Sequence, residues 1–177
     1  MNIFNKFIQN ITEVITMVNL TTKERLLLED EKSHETLCVA KYKEHAKKAN
    51  CQELKSLFNS LAQKEQQHLD TINQILNGSV PTINQTQGQQ NQQSSNSQSQ
   101  FDLGNLQALQ AMNYNESDKL LCQDALSTEK YVSSTYDTAI FEFRDKNIRQ
   151  VLNHIQKEEQ EHGEKIYNYM NQHGMYS

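Results

Sequence analysis

Glu65 and His68 stand three residues apart, as do Glu159 and His162, and both pairs lie in runs whose apolar residues recur at helical spacing. Leu54, Leu57, Phe58, Leu61, Ile72 and Leu76 form the first run, and Ile148, Val151, Leu152, Ile155, Ile166 and Met170 the second. The ionisable residues therefore interrupt seams that face a core. Two further carboxylates sit in series spaced by sevens: Leu28, Glu35, Tyr42, Ala49 and Cys122, Glu129, Tyr136, Phe143. Four carboxylates and two imidazoles turned into one interior cost several kcal/mol each unless they are paired or metal-bound. Two divalent cations balance four carboxylates. One Glu from each of two helices, with Glu-x-x-His from each of two others, is the inventory of a dinuclear metal-carboxylate site. The expected ligands are thus Glu35, Glu65, His68, Glu129, Glu159 and His162. The expected cofactors are two divalent metal ions, Fe or Mn ahead of Zn.

A bland reading competes with this one. Helices rich in Gln and Glu produce Glu-x-x-His by chance, and a lone His on an apolar face is usually a satisfied core residue. Recurrence decides between them. Shifting the chain by 94 residues without a gap superposes Glu35 on Glu129, Tyr42 on Tyr136, Glu65-Gln66 on Glu159-Gln160, His68 on His162 and Ile72 on Ile166. It also matches Leu26-Leu27 with Leu120-Leu121, Asp30 with Asp124 and Ser33 with Ser127. Most identities are polar, the reverse of what a generic helical pattern yields, and an internal duplication is the simplest account. Tyr42 and Tyr136 hydrogen-bond the carboxylate ligands or relay electrons, or else are simply amphipathic core residues. Asp30 and Asp124 are read as helix-pairing or solvated residues. His34, His45, His154 and His173 have no counterpart across the shift and are read as surface residues. Gly163, beside His162 in a helix interior, is read as admitting a neighbouring helix closely.

The elements that must position these residues follow from the punctuation of the chain. Thr21 with Glu24 is a capping-box signature, and Asn115 with Asp118 occupies the equivalent positions. Helices are expected over residues 22–49, 53–77, 116–143 and 147–172, with short polar turns between the members of each pair and C-terminal caps at Gly78 and Gly174. Residues 79–100, opened by Pro81 and dominated by Gln, Asn and Ser, read as a flexible connection. Residues 1–20, with Phe4, Phe7, Ile8, Ile11, Val14, Ile15 and Val18 at helical spacing, read as a short N-terminal amphipathic helix rather than a secretion signal. The expected fold is all-α: one domain over residues 1–177, a four-helix bundle of two duplicated hairpins, 21–78 and 101–177, joined by a long crossover.

Composition narrows the function. One Pro and 5 Gly among 177 residues leave few tight turns for a many-stranded β fold. A net charge of −5 argues against a phosphate-backbone grip, and no apolar run is long enough to span a membrane. Nucleic acid and membrane are not expected partners. Three cysteines, Cys38, Cys51 and Cys122, contain no Cys-x-x-Cys pair, so neither a disulfide framework nor a thiolate metal site is encoded.

Ser117-Asp118-Lys119-Leu120, Ser127-Thr128-Glu129-Lys130-Tyr131 and Thr135-Tyr136-Asp137-Thr138-Ala139 make the second half resemble the Coat F family of bacterial spore coat proteins. Glu158-Glu159-Gln160-Glu161-His162-Gly163 and Tyr169-Met170-Asn171-Gln172-His173-Gly174-Met175-Tyr176 look like that family's closing segment, although an aromatic residue is more usual where Met175 stands. The resemblance is close over about 60 residues, and the first half looks like a more distant copy. The whole is similar to the ferritin-like superfamily, which includes rubrerythrins and manganese catalases; a Glu followed seven residues later by Tyr is also rubrerythrin-like. The resemblance implies a sporulating Firmicute, a place in the spore coat or the mother-cell cytoplasm, other coat proteins as partners, and a homo-oligomer such as a dimer. The expected function is a coat-associated ferritin-like protein with a dinuclear Fe or Mn site connected with oxidative stress. The alternatives are a di-metal peroxidase or catalase, and a structural coat component without metal.

Overall fold

A computed structural model of the chain describes residues 18–82 and 114–176. The regular elements among them are all helical: α1 (Thr22–Lys48), α2 (Gln52–Leu76), α3 (Glu116–Glu142) and α4 (Lys146–Gln172). Each expected helix boundary is met to within one residue. The N-terminal amphipathic stretch through residue 17, the connector residues 83–100 and residues 101–113 lie outside the described residues.

Local chemistry sets the helix ends. The Glu24 backbone N–H donates to the Thr21 hydroxyl at 3.2 Å while the Thr21 N–H donates to the Glu24 carboxylate at 2.7 Å, closing the expected capping box. Gly78 and Gly174 adopt φ of 89° and 66°, a conformation that favours glycine. Their neighbours donate back into the preceding helix, Ser79 N to Gln74 O at 2.9 Å and Met175 N to Met170 O at 2.8 Å. Both helices thus end in a Schellman motif, which satisfies carbonyls that a helix otherwise leaves free.

The box expected at Asn115 and Asp118 does not close. Asn115 accepts from Ser117 N at 2.8 Å, but Asp118 turns to the other hairpin, where its two oxygens accept from Asn50 N at 2.8 Å and Cys51 N at 3.0 Å. The N-cap of α2, Cys51, makes no side-chain capping bond, and Asp118 takes the N–H of that residue and of the one before it. Glu24, 94 residues before Asp118, makes the matching contact. Its carboxylate accepts from Arg144 N at 2.9 Å and from the Arg144 guanidinium at 3.1 Å. Burial opposes ionisation of Glu24, yet the bonds from Arg144 and Thr21 hold its pKa down to about 2. Each hairpin therefore caps the turn of the other.

These contacts also fix direction. The start of α1 meets the end of α3 and the end of α1 meets the start of α3, so the two run antiparallel. Lys64 facing Glu158 at 3.3 Å and Glu53 facing His173 at 3.8 Å make α2 and α4 antiparallel as well. Consequently α2 and α3 run the same way, so the end of α2 and the start of α3 lie at opposite ends of the bundle, ~37 Å apart at 1.5 Å per residue.

The apolar seams meet in the core, where Leu28, Leu54, Phe58, Leu61, Ile148, Leu152, Ile155 and Ile166 are all buried. Leu57 and Leu76 lie only half-buried at the rim. Cys38 and Cys122 are buried free thiols that pack as small apolar groups, and burial pushes Cys122 up to about 12. Gly163 does face α3 closely, but not so closely that only glycine fits. A methyl group there would lie 3.6 Å from Leu126 Cδ1 and 3.8 Å from Glu129 Cβ, ordinary contact distances. Gly163→Ala should therefore raise stability by about 0.5–1 kcal/mol through helix propensity, read as the shift of the denaturant midpoint.

A candidate dinuclear metal centre

Glu35 and Glu129 project from the middles of α1 and α3, and the Glu-x-x-His pairs from the middles of α2 and α4. All six side chains are buried. Their ligand atoms form two groups, Glu35, Glu65, His68, Glu159 and Glu65, Glu129, Glu159, His162, and within each group the atoms lie inside 4.8 Å of one another. Glu65 and Glu159 belong to both groups. His68 and Glu35 stand on one side of that shared pair, His162 and Glu129 on the other.

The two sides repeat each other. His68 Nδ1 lies 2.8 Å from Glu159 Oε1, and His162 Nδ1 lies 2.9 Å from Glu65 Oε1. The imidazoles are stacked, centroids 5.6 Å apart and 18° between planes. His68 Nδ1 is 3.7 Å from Glu35 Oε2, and His162 Nδ1 is 3.7 Å from Glu129 Oε2. Behind the carboxylates, Tyr42 OH donates to Glu129 and Tyr136 OH donates to Glu35, each tyrosine crossing to the carboxylate of the opposite hairpin. Of the readings left open for these tyrosines, the geometry displays hydrogen bonding to the carboxylates. Both rings are also fully buried, and Tyr42 stacks on Phe58 at 5.9 Å, so they serve the core as well.

Electrostatics make this cluster expensive as it stands. Two like charges 4 Å apart repel by about 4 kcal/mol at an effective dielectric of ~20. Burial, reinforced by Glu159 and Glu65, pushes Glu35 up to about 8 against the pull of His68. Burial and Glu159 likewise drive Glu129 well above the usual carboxylate range. Burial works on Glu65 too, but hydrogen bonds from His162 and His68 outweigh it and bring that group down to about 2. His68 is held well above its ordinary value by the surrounding carboxylates despite its own burial.

Hydrogen bonding gives an independent view. Among the described residues, eight buried side-chain N or O atoms find no hydrogen-bond partner, and seven of them belong to these six residues. They are Glu35 Oε2, Glu65 Oε2, His68 Nδ1, Glu129 Oε2, both oxygens of Glu159, and His162 Nε2. Native interiors leave few such atoms, because each costs about 1–3 kcal/mol. Apart from His162 Nε2, the unpartnered atoms are those a pair of cations would engage. The donor set of oxygen and imidazole nitrogen suits Fe, Mn or Zn.

Several buried or half-buried polar residues were not singled out in the sequence. Glu158 donates no apolar pattern to a helix stripe, yet its carboxylate accepts from His68 Nε2 at 3.0 Å. Its position directly before Glu159 was the available signal. Glu31 is buried against Thr135 Oγ1 at 3.0 Å and His34 Nδ1 at 3.4 Å. His45, expected at the surface, is buried instead. Its Nε2 lies 2.9 Å from Asp124, and its ring packs edge-on against Phe58 at 5.3 Å. A carboxylate from the neighbouring helix supplies the partner that allows an imidazole at that depth. His154 is exposed, as expected.

Fold and buried cluster together define a four-helix bundle with a carboxylate–imidazole centre. Residues 117–177 match the model of the Coat F domain. No curated protein and no solved structure matches the chain. The matched segment carries Glu129, Glu159 and His162, half of the central cluster. No described helix is long and apolar enough to cross a membrane.

Proposed function

We infer that this is a spore-coat-associated protein with a ferritin-like bundle that holds two divalent metal ions, Fe or Mn, between its four helices. The observation that carries this reading is the concentration of unpartnered buried ligand atoms on the six residues. Glu35 and His68 would hold one ion, Glu129 and His162 the other, with Glu65 and Glu159 shared between them. The equivalent contacts at a spacing of 94 residues support an origin by duplication of one hairpin. Such ions supply redox chemistry toward O2 or peroxide. The chain's own contribution is to exclude water with the apolar seams above and below, and to orient Glu35 and Glu129 through Tyr136 and Tyr42.

Elemental analysis of protein produced with Mn or Fe supplementation tests the reading. The expected result is about two ions per chain that survive gel filtration. Fewer than one Fe, Mn or Zn per chain would overturn it.

A further inference from the structure

The two halves of the centre match in their inner contacts and differ in what lies behind the imidazoles. His68 turns Nδ1 toward Glu35, Glu65 and Glu159, and its outer nitrogen, Nε2, donates to Glu158 at 3.0 Å. His162 likewise turns Nδ1 inward, toward Glu65, Glu129 and Glu159, but its Nε2 is buried and has no partner among the described residues. The repeat explains the difference. The residue 94 positions before Glu158 is Lys64, so a cation stands where the matching carboxylate would be. Lys64 instead pairs with Glu158 at 3.3 Å, and His154 Nε2 approaches the same carboxylate at 3.6 Å.

A carboxylate on the outer nitrogen of a ligating histidine fixes its tautomer and ring orientation and makes the inner nitrogen a stronger donor. Building on the dinuclear reading above, we propose that the two metal positions are unequal, the one served by His68 binding more tightly because Glu158 braces that imidazole alone. Glu158 is thus a positioning residue that touches no metal. Loss of such a partner weakens metal binding about 10–100-fold, and the two positions should differ by a similar factor. The first ion to bind therefore enters the Glu35–His68 side.

Titration of metal-free, full-length protein with Mn(II), counting free ion by its electron paramagnetic resonance signal, reads this directly. The wild type should bind two ions in separate steps. Glu158→Gln should weaken the first step at least tenfold and bring the two constants together, with the circular dichroism spectrum unchanged. In Glu129→Ala, which spares the His68 side, the single remaining ion should bind with the tighter constant, and adding Glu158→Gln should weaken it. Lys64→Glu places a carboxylate at the mirror position and should tighten the second step. Two ions bound with equal constants, or constants unmoved by Glu158→Gln, would overturn the inequality and leave the dinuclear reading standing. Absence of saturable Mn(II) binding in the wild type would overturn both.

Discussion

Replacing Glu65 by alanine should cost the protein both metal ions, whereas replacing Glu35 should cost one. Glu65 belongs to both groups of ligand atoms and Glu35 to only one. The thermal consequence is large. A ligand present at a thousandfold excess over its Kd stabilises the folded state by about 4 kcal/mol per site. In a chain of this size each kcal/mol moves Tm by about 2–4 °C. Saturating Mn(II) should accordingly raise the wild-type Tm by on the order of 20 °C in scanning calorimetry, an effect that a chelator reverses. Glu35→Ala should keep roughly half of that gain, and Glu65→Ala should show almost none. An equal loss in the two variants would contradict the shared position of Glu65.

The second large effect has the opposite sign and concerns the metal-free protein. Burial raises Glu35 to about 8, against 4.5 for an ordinary glutamate. A group whose pKa is higher in the folded chain than in the unfolded one contributes its stability below the unfolded value and loses it as pH rises through the folded value. Metal-free wild type should therefore weaken steadily between about pH 4.5 and pH 8. His68, also raised, adds to the same slope above its ordinary value. Glu35→Gln removes the ionising group while keeping the acceptor for Tyr136. It should make the metal-free protein more stable at pH 8 by about 4 kcal/mol, flatten the pH profile, and still fail to hold the ion on the His68 side. With metal present the wild-type profile should invert, since the ligands must lose their protons before they bind. Urea midpoints across the pH range, with and without Mn(II), check both statements. An unchanged slope in Glu35→Gln would assign the pH dependence to other groups.

Much of this arrangement is legible in the amino-acid sequence. Heptad spacing placed Leu28, Glu35, Tyr42 and Ala49 on one buried face, and the Gly78 and Gly174 caps stood where helices had to stop. The recurrence of Glu35, Glu65 and His68 at Glu129, Glu159 and His162 was visible because identical polar residues at a constant shift are hard to produce by helical periodicity. Contacts between hairpins were not legible in the same way. Asp118 looked like a local capping residue, and its actual partners, the N–H groups of Asn50 and Cys51, depend on how the second hairpin is set against the first. His45 seemed a surface residue because its partner, Asp124, lies on another helix. Glu158 was overshadowed by its neighbour Glu159, since sequence spacing alone does not tell which way an outer imidazole nitrogen points. In each case the missing information was the identity of a partner far along the chain.

The reciprocal capping by Glu24 and Asp118 bears on how such a protein is assembled and inherited. Neither hairpin is self-sufficient: α2 relies on Asp118 for its first acceptor, and the turn before α4 relies on Glu24. The Coat F match spans one hairpin, with half of the buried cluster and one member of the capping exchange. Because each hairpin caps the other in the same way, two copies of one such unit related by a two-fold axis would make the same exchange of caps. Lys64 facing Glu158 marks a position at which the two halves of the present chain cannot trade places.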